Sequence, residues 1–164
     1  MAIMKKLLLT ITFAIFSTNV SAQDFYKGSE ALHSGDLVTA LKEWIPLAEQ
    51  GDVQTQNNLG AIYLNGTFGA SKDYVEALKW FRLSAKLGNE YAQSVLGSMY
   101  EHGKGVLKDY TVGHMWYNIA SANGHYYSSS DRDALEADMT LEDISKATAM
   151  ARECMNSDYK KCGY

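Results

Sequence analysis

The chain has 164 residues, 46% hydrophobic and 21% charged, a balance that fits one soluble globular domain and excludes a disordered or membrane-embedded chain. Lys and Arg number 15 against 19 Asp and Glu, a formal charge of -4, and past the N-terminal segment no basic cluster exceeds the pair Lys160-Lys161. A nucleic-acid partner, which needs a basic footprint to displace counterions, is therefore excluded as well. The single proline, Pro46, leaves long stretches free of helix breakers, and strict alternation is scarce, so the predicted class is all-α.

Lys5 and Lys6 precede an apolar run from Leu7 to Phe16, and a polar stretch then ends in Val20-Ser21-Ala22. This is the pattern of a secretory signal peptide over residues 1–22, with small residues suited to cleavage before Gln23. The apolar run is well short of the roughly 20 residues that a spanning helix requires. The mature chain is thus expected to carry no membrane span and to be exported, either periplasmic or secreted. Removal of the leader discards two lysines and no acid, leaving 13 basic against 19 acidic side chains, a formal charge of -6.

Phe25 to Ser34 reads as a helix and Gly35-Asp36 as its turn. Next comes Ala40-Leu41-Lys42-Glu43-Trp44, followed by Ala48 and Gly51, and this is echoed by Ala77-Leu78-Lys79-Trp80-Phe81, followed by Ala85 and Gly88. In that register the earlier tryptophan is displaced by one position. Two better copies follow. Gln56, Leu59, Gly60, Tyr63 and Gly66 recur as Gln93, Leu96, Gly97, Tyr100 and Gly103, with Leu59 and Leu96 37 residues apart. Lys72-Asp73-Tyr74, Trp80, Phe81 and Gly88 recur as Lys108-Asp109-Tyr110, Trp116, Tyr117 and Gly124, with the tryptophans 36 apart. One extra residue therefore sits between Gly66 and Asp73, in a loop, where an insertion costs least.

Within each copy the spacing is helical. Leu59, Gly60 and Tyr63 share one face, as do Ala77, Phe81, Ser84 and Ala85. Glycine inside a helix costs about 1 kcal/mol against alanine, so Gly60 and Gly97 are expected where a neighbouring helix comes too close for a Cβ. Gly88 and Gly124 follow the last periodic residue, where a left-handed cap is wanted, and Asp73 and Asp109 are expected N-caps.

This residue set resembles the Sel1-like repeat, a tetratricopeptide-type unit whose pattern runs Ala-Gln, Leu-Gly, Tyr, Gly, Asp, Ala, Trp, Ala and a closing Gly. The resemblance covers residues about 28 to 125. Departures are Glu43 at the tryptophan position, Gly113 for the alanine, and His114 where the preceding copy has Leu78. The resemblance implies a short α-solenoid over residues 23–125, comprising a partial repeat at 24–51 and full repeats at about 52–88 and 89–124. Residues 126–164 are expected to form a C-terminal helical cap and tail: Asp131 to Met139 as one helix, then a longer one to about Met155, with Thr140 and Asp143 as a capping box. A solenoid end needs such an element to cover its apolar face.

The resemblance also implies an exported bacterial protein that acts as a protein–protein interaction adaptor or regulator, in the envelope or toward a host, with a protein or peptide as partner. It raises one alternative, a cell-wall or β-lactam hydrolase of the cysteine-rich Sel1-like type. The residues give that alternative little. Ser157-Asp158-Tyr159-Lys160 matches Ser-x-x-Lys, but no Ser-Asp-Asn or Lys-Thr-Gly companion exists. His33, His102, His114 and His125 lack paired metal-ligand spacing, and Gly103-Lys104-Gly105 lacks the remaining glycines of a nucleotide loop. Acid pairs such as Glu136 and Asp138 read as solvated faces rather than an acid–base couple. No catalytic residue, metal or cofactor is expected.

Two further expectations concern sites. Cys154 and Cys162 are an even pair in a chain read as exported, so they are expected to form a disulfide tying the tail to the last helix. On the first helix of each repeat, the flank that tetratricopeptide-type solenoids turn toward their groove carries Gln54, Asn57, Ala61 and Leu64 in one copy. Tyr91, Ser94, Ser98 and Glu101 occupy it in the next. This row is expected to bind an extended peptide or loop through amide and hydroxyl groups, with Tyr91 as anchor.

Overall fold

The structure is a computed structural model and describes residues 22–163; the segment read as a signal peptide, apart from Ala22, lies outside the described residues. Among the described residues every regular element is an α-helix. They run α1 (22–33), α2 (Leu37–Glu49), α3 (Val53–Asn65), α4 (Tyr74–Lys86), α5 (Glu90–His102), α6 (Tyr110–Ala122), α7 (Ser128–Glu136) and α8 (Leu141–Asn156). α3 pairs with α4 and α5 with α6, α1 meets α2 where Phe25 and Gly28 contact Trp44, and α7 and α8 pack on α6 at the far end. The fold is an α-solenoid with a helical cap.

Local chemistry starts the helices where the sequence places its acids. Asp36, Asp52, Asp73 and Asp109 cap α2, α3, α4 and α6 by accepting backbone N–H bonds in the first turn, and Asn89 does the same for α5. Thr140 caps α8, and its hydroxyl also donates to Asp143 Oδ2 at 2.7 Å. The helix α7 begins at Ser128, three residues before the expected Asp131, and its first turn has no side-chain cap. Gly88 and Gly124, just past the ends of α4 and α6, have φ of 84° and 102°, as a left-handed helix stop requires.

The repeated residues hold neighbouring helices together. Gly60 receives the ring of Phe81, and Gly97 receives that of Tyr117; a Cβ on either would stand 2.9 Å and 2.6 Å from ring carbons. Gly28 receives the ring of Trp44 in the same manner. Trp44 therefore fills over Gly28 the place that Phe81 fills over Gly60, and is not a displaced Trp80. The close approach expected at these glycines is made by an aromatic side chain from the partner helix.

A second recurrent link joins one unit to the next. Gln56 Nε2 donates to the Ala48 carbonyl at 2.8 Å, and Gln93 Nε2 donates to the Ala85 carbonyl at 3.1 Å. Both glutamines and both alanines are buried, and each bond gives a second donor to a helix-end carbonyl that already accepts the N–H of Gly51 or Gly88. Trp80 and Trp116, 1% and 0% exposed, fill the space between units.

His114 and Gly113 are explained by the cap. His114 occupies the buried place of Leu78, and its Nε2 pairs with Glu136 Oε1 of α7 at 2.8 Å. A Cβ at Gly113 would stand 3.2 Å from the Gly97 carbonyl and 3.5 Å from Leu135, so α6 lies close to α5 and α7 at once. The tail is fastened by the Cys154–Cys162 disulfide, Cα atoms 4.6 Å apart and both residues buried. Tyr159 packs beside Gly88, and its hydroxyl accepts from Asn123 Nδ2 at 2.8 Å.

Candidate functional site

The first helices of the three pairs, α1, α3 and α5, leave furrows between them. Between α3 and α5 lies an open groove of about 560 Å³, lined by Val53, Gln54, Asn57, Asn58, Ala61, Asn89 and Tyr91. Four of the expected binding residues, Gln54, Asn57, Ala61 and Tyr91, are thus brought together. Asn57 Nδ2 donates to Asn89 Oδ1 at 3.1 Å, and that oxygen also accepts from the Ala92 N–H in capping α5. The groove floor is therefore pinned to a helix start.

Tyr91 is 45% exposed, with its ring edge-on to Phe81 at 6.2 Å between centroids. Beyond it an aromatic edge continues: His125 lies 6.5 Å from Tyr91, Tyr127 lies 6.5 Å from His125, and Tyr126 stands perpendicular to Tyr127 at 4.8 Å. Tyr126 and Tyr127 are mostly exposed. Among the described residues no Asp, Glu, Lys or Arg lines the groove.

The remaining expected residues have other surroundings. Leu64 is half-buried and packs against the core cluster of the second repeat. Ser94 is buried, whereas its counterpart Asn57 faces the groove. Ser98 is half-buried beside His102, whose Nδ1 lies 2.9 Å from the Ser98 carbonyl. Glu101 Oε2 accepts from the Tyr117 hydroxyl at 2.7 Å. Burial of the Tyr117 hydroxyl, reinforced by its bond to the Glu101 carboxylate, raises its pKa well above the usual tyrosine range.

The sequence pattern missed Asn58 and Asn89, which line the same groove, and a neighbouring pocket between α1, α2 and α3. Asn89 had a signal, since a residue between Gly88 and a new helix is an N-cap position. Ser157 of the Ser-x-x-Lys tetrapeptide serves the end of α8: its Oγ donates to the Cys154 carbonyl at 2.8 Å and accepts from the Lys161 N–H at 2.9 Å. Among the described residues no group of three or more His, Cys, Asp or Glu could hold a metal ion, and no helix is long and apolar enough to cross a membrane.

Comparison with known proteins follows the same lines. The Sel1 repeat family model matches residues 53–89 and 90–125. The chain is 32% identical over 108 residues to the chitin synthase regulator SKT5 of Saccharomyces cerevisiae, covering 65% of this chain and 15% of that protein. It is 38% identical over 107 residues to protein sel-1 homolog 2 of Rattus norvegicus, covering 63% and 16%. The chain thus spans only a small part of these curated relatives. A crystal structure of a Sel1 repeat protein from Oxalobacter formigenes superposes with a TM-score of 0.64 at 29% identity, over 77% of this chain and 97% of that one. A protective antigen present in uropathogenic Escherichia coli strains, displaying an SLR fold, superposes with a TM-score of 0.74 over 85% of this chain and 31% of that one. At 24% identity it supports the fold alone. The glycine–aromatic pairs, the glutamine bridges and these matches agree that the chain carries two full Sel1 repeats, at residues 53–89 and 90–125.

Proposed function

We propose that this protein is an exported interaction module, an adaptor or regulator that holds an extended segment of a partner protein in the groove between α3 and α5. The observation that carries the reading is the groove itself: four neutral amide side chains and one half-exposed tyrosine converge on it, with no charged side chain lining it among the described residues. Amides offer a donor and an acceptor each, which suits the N–H and C=O groups of an extended main chain. Tyrosine supplies rigid contact area at small entropic cost. One of the similar proteins is named a regulator of an enzyme, which accords with a regulatory role. The Cys154–Cys162 disulfide fits an oxidising compartment and thus export.

The test is site-specific photo-crosslinking in the native cell envelope. A photoreactive residue at Gln54, in the groove, should capture a discrete partner, and one at Val75, an exposed position on α4, should not. Tyr91→Ala combined with Asn57→Ala should weaken that capture roughly tenfold, with the helical circular-dichroism signal retained. Equal capture at both positions, or full capture by the double variant, would defeat the reading. N-terminal sequencing of the exported fraction should begin at Gln23.

A further inference from the structure

The two full repeats differ by one residue in the loop between their helices, and the structure identifies that residue. The same backbone bond closes both loops: the Asp73 N–H donates to the Tyr63 carbonyl and the Asp109 N–H to the Tyr100 carbonyl, each at 2.9 Å. Gly66 and Gly103 match as left-handed helix caps, with φ of 66° and 69°, and Gly69 and Gly105 match at 85° and 72°. Between the paired glycines the second repeat has Lys104 alone, and the first has Thr67 and Phe68. Thr67 and Lys104 donate their N–H groups to the equivalent carbonyls of Ile62 and Met99, so Phe68 is the residue without a counterpart.

Phe68 has φ of 57°, a conformation suited to glycine or asparagine and uncommon for a bulky side chain. Its ring is not used to fill the core, being 52% exposed. It lines instead a pocket of about 310 Å³ between α1, α2 and α3, whose other apolar walls are Leu32, Trp44 and Ile62. In the second repeat the loop is closed down: Gly105 lies directly against the backbone of Tyr74.

We propose that this pocket is an anchor site for one large apolar side chain, Phe or Leu, of an extended uncharged peptide segment whose main chain continues into the α3–α5 groove. The proposal rests on the groove reading above. Continuity supports it, because Asn58 and Ala61 line both the pocket and the groove, so a bound chain passes from one to the other without leaving the surface. Size supports it, because the volume is at the small end of ligand pockets and suits a single side chain. Chemistry supports it as well: apolar walls face the anchor, Asn58 serves the main chain, and among the described residues no Asp, Glu, Lys or Arg lines either cavity, His33 being the one imidazole at the pocket.

The test uses the purified protein, labelled with 15N, and the N-acetyl methylamides of Phe, Leu, Ser and Lys as probes. The Phe and Leu probes should shift the amide resonances of Leu32, Ile62 and Phe68 saturably, and the Ser and Lys probes should not. Phe68→Gly should weaken the apolar probes roughly tenfold without lowering the melting temperature, since glycine accepts the backbone conformation. Tyr91→Ala should leave the single-residue probes unaffected. A positional library of uncharged octapeptides then separates the two readings. Peptides that require Tyr91 but show no apolar preference and ignore Phe68→Gly overturn the anchor and leave the groove reading intact. Probe binding in the pocket, with no peptide sensitive to Tyr91→Ala or Asn57→Ala, overturns the peptide assignment together with the groove reading. Self-association in sedimentation that Phe68→Gly abolishes assigns the pocket to a second copy of the chain and overturns the proposal.

Discussion

The two full repeats carry the same Gln, Leu, Gly and Tyr positions, yet the flank of the first faces solvent along a groove and that of the second is largely engaged within the protein. Asn57 lines the groove while Ser94 is buried, and Glu101 accepts a hydrogen bond from Tyr117. The second repeat is flanked by α7 and α8, which pack on α6 and turn several of its positions into joints. One pattern can thus leave an open groove or form a structural seam.

The largest expected effect tests the seam at the glycines. Gly97→Leu should destabilise by about 3 kcal/mol and Gly60→Leu by about 1 to 2, read from urea denaturation midpoints, because overpacking forces the facing ring to move. The ring at Gly97 is both closer and held, Tyr117 being bonded to Glu101, whereas Phe81 has no such tether. Equal losses would show that the two repeats are packed alike.

Next comes the clamp on the cap. Cys154→Ser with Cys162→Ser removes a cross-link closing a short loop, sequence separation 8, and should cost about 2 to 3 kcal/mol in the chain-entropy model. Hydrogen exchange should rise first in α8 and the tail and leave α3 protected. Uniform loss across both repeats would mean that the cap and the solenoid unfold as one unit.

The His114–Glu136 pair separates the repeats in a smaller way. Glu136→Ala leaves a buried imidazole without its partner and should cost about 1 to 2 kcal/mol. His114→Leu, which restores the residue of the first repeat, should be nearly neutral, since the half-exposed Glu136 regains water. A large loss on His114→Leu would give the pair a role beyond satisfying itself.

The smallest effect is in alkaline solution. Folding raises the Tyr117 pKa, so its contribution to stability is complete below the ordinary tyrosine value of about 10 and is lost as pH climbs through the higher folded value. Tyr117→Phe gives the second repeat the residue of the first. It should cost about 1 kcal/mol at neutral pH and flatten the alkaline decline. Parallel stability–pH curves for the two proteins would remove Tyr117 from that decline.

Much of the fold was legible in the residues alone, because it rests on local rules and on repetition. Helix starts follow from Asp and Asn side chains that reach their own first turn, helix stops from glycines with positive φ, and the solenoid from identical residues returning at a constant interval. Phe81, Ser84 and Ala85 could be assigned to a packed face by period. The Trp44 register could not, since sequence alignment pairs letters and only geometry shows that its ring fills the place above Gly28 that Phe81 fills above Gly60. The groove was half legible. Gln54, Asn57, Ala61 and Tyr91 share it as helix geometry predicts, but Asn58 and Asn89 enter from an adjoining face and from a turn. Burial of Ser94 and the bond at Glu101 depend on residues that are distant in sequence, and no periodicity within one helix contains that information. The extra residue between Gly66 and Asp73 was countable from spacing; that it is Phe68, placed over a pocket built by three helices, was decided only when those helices packed.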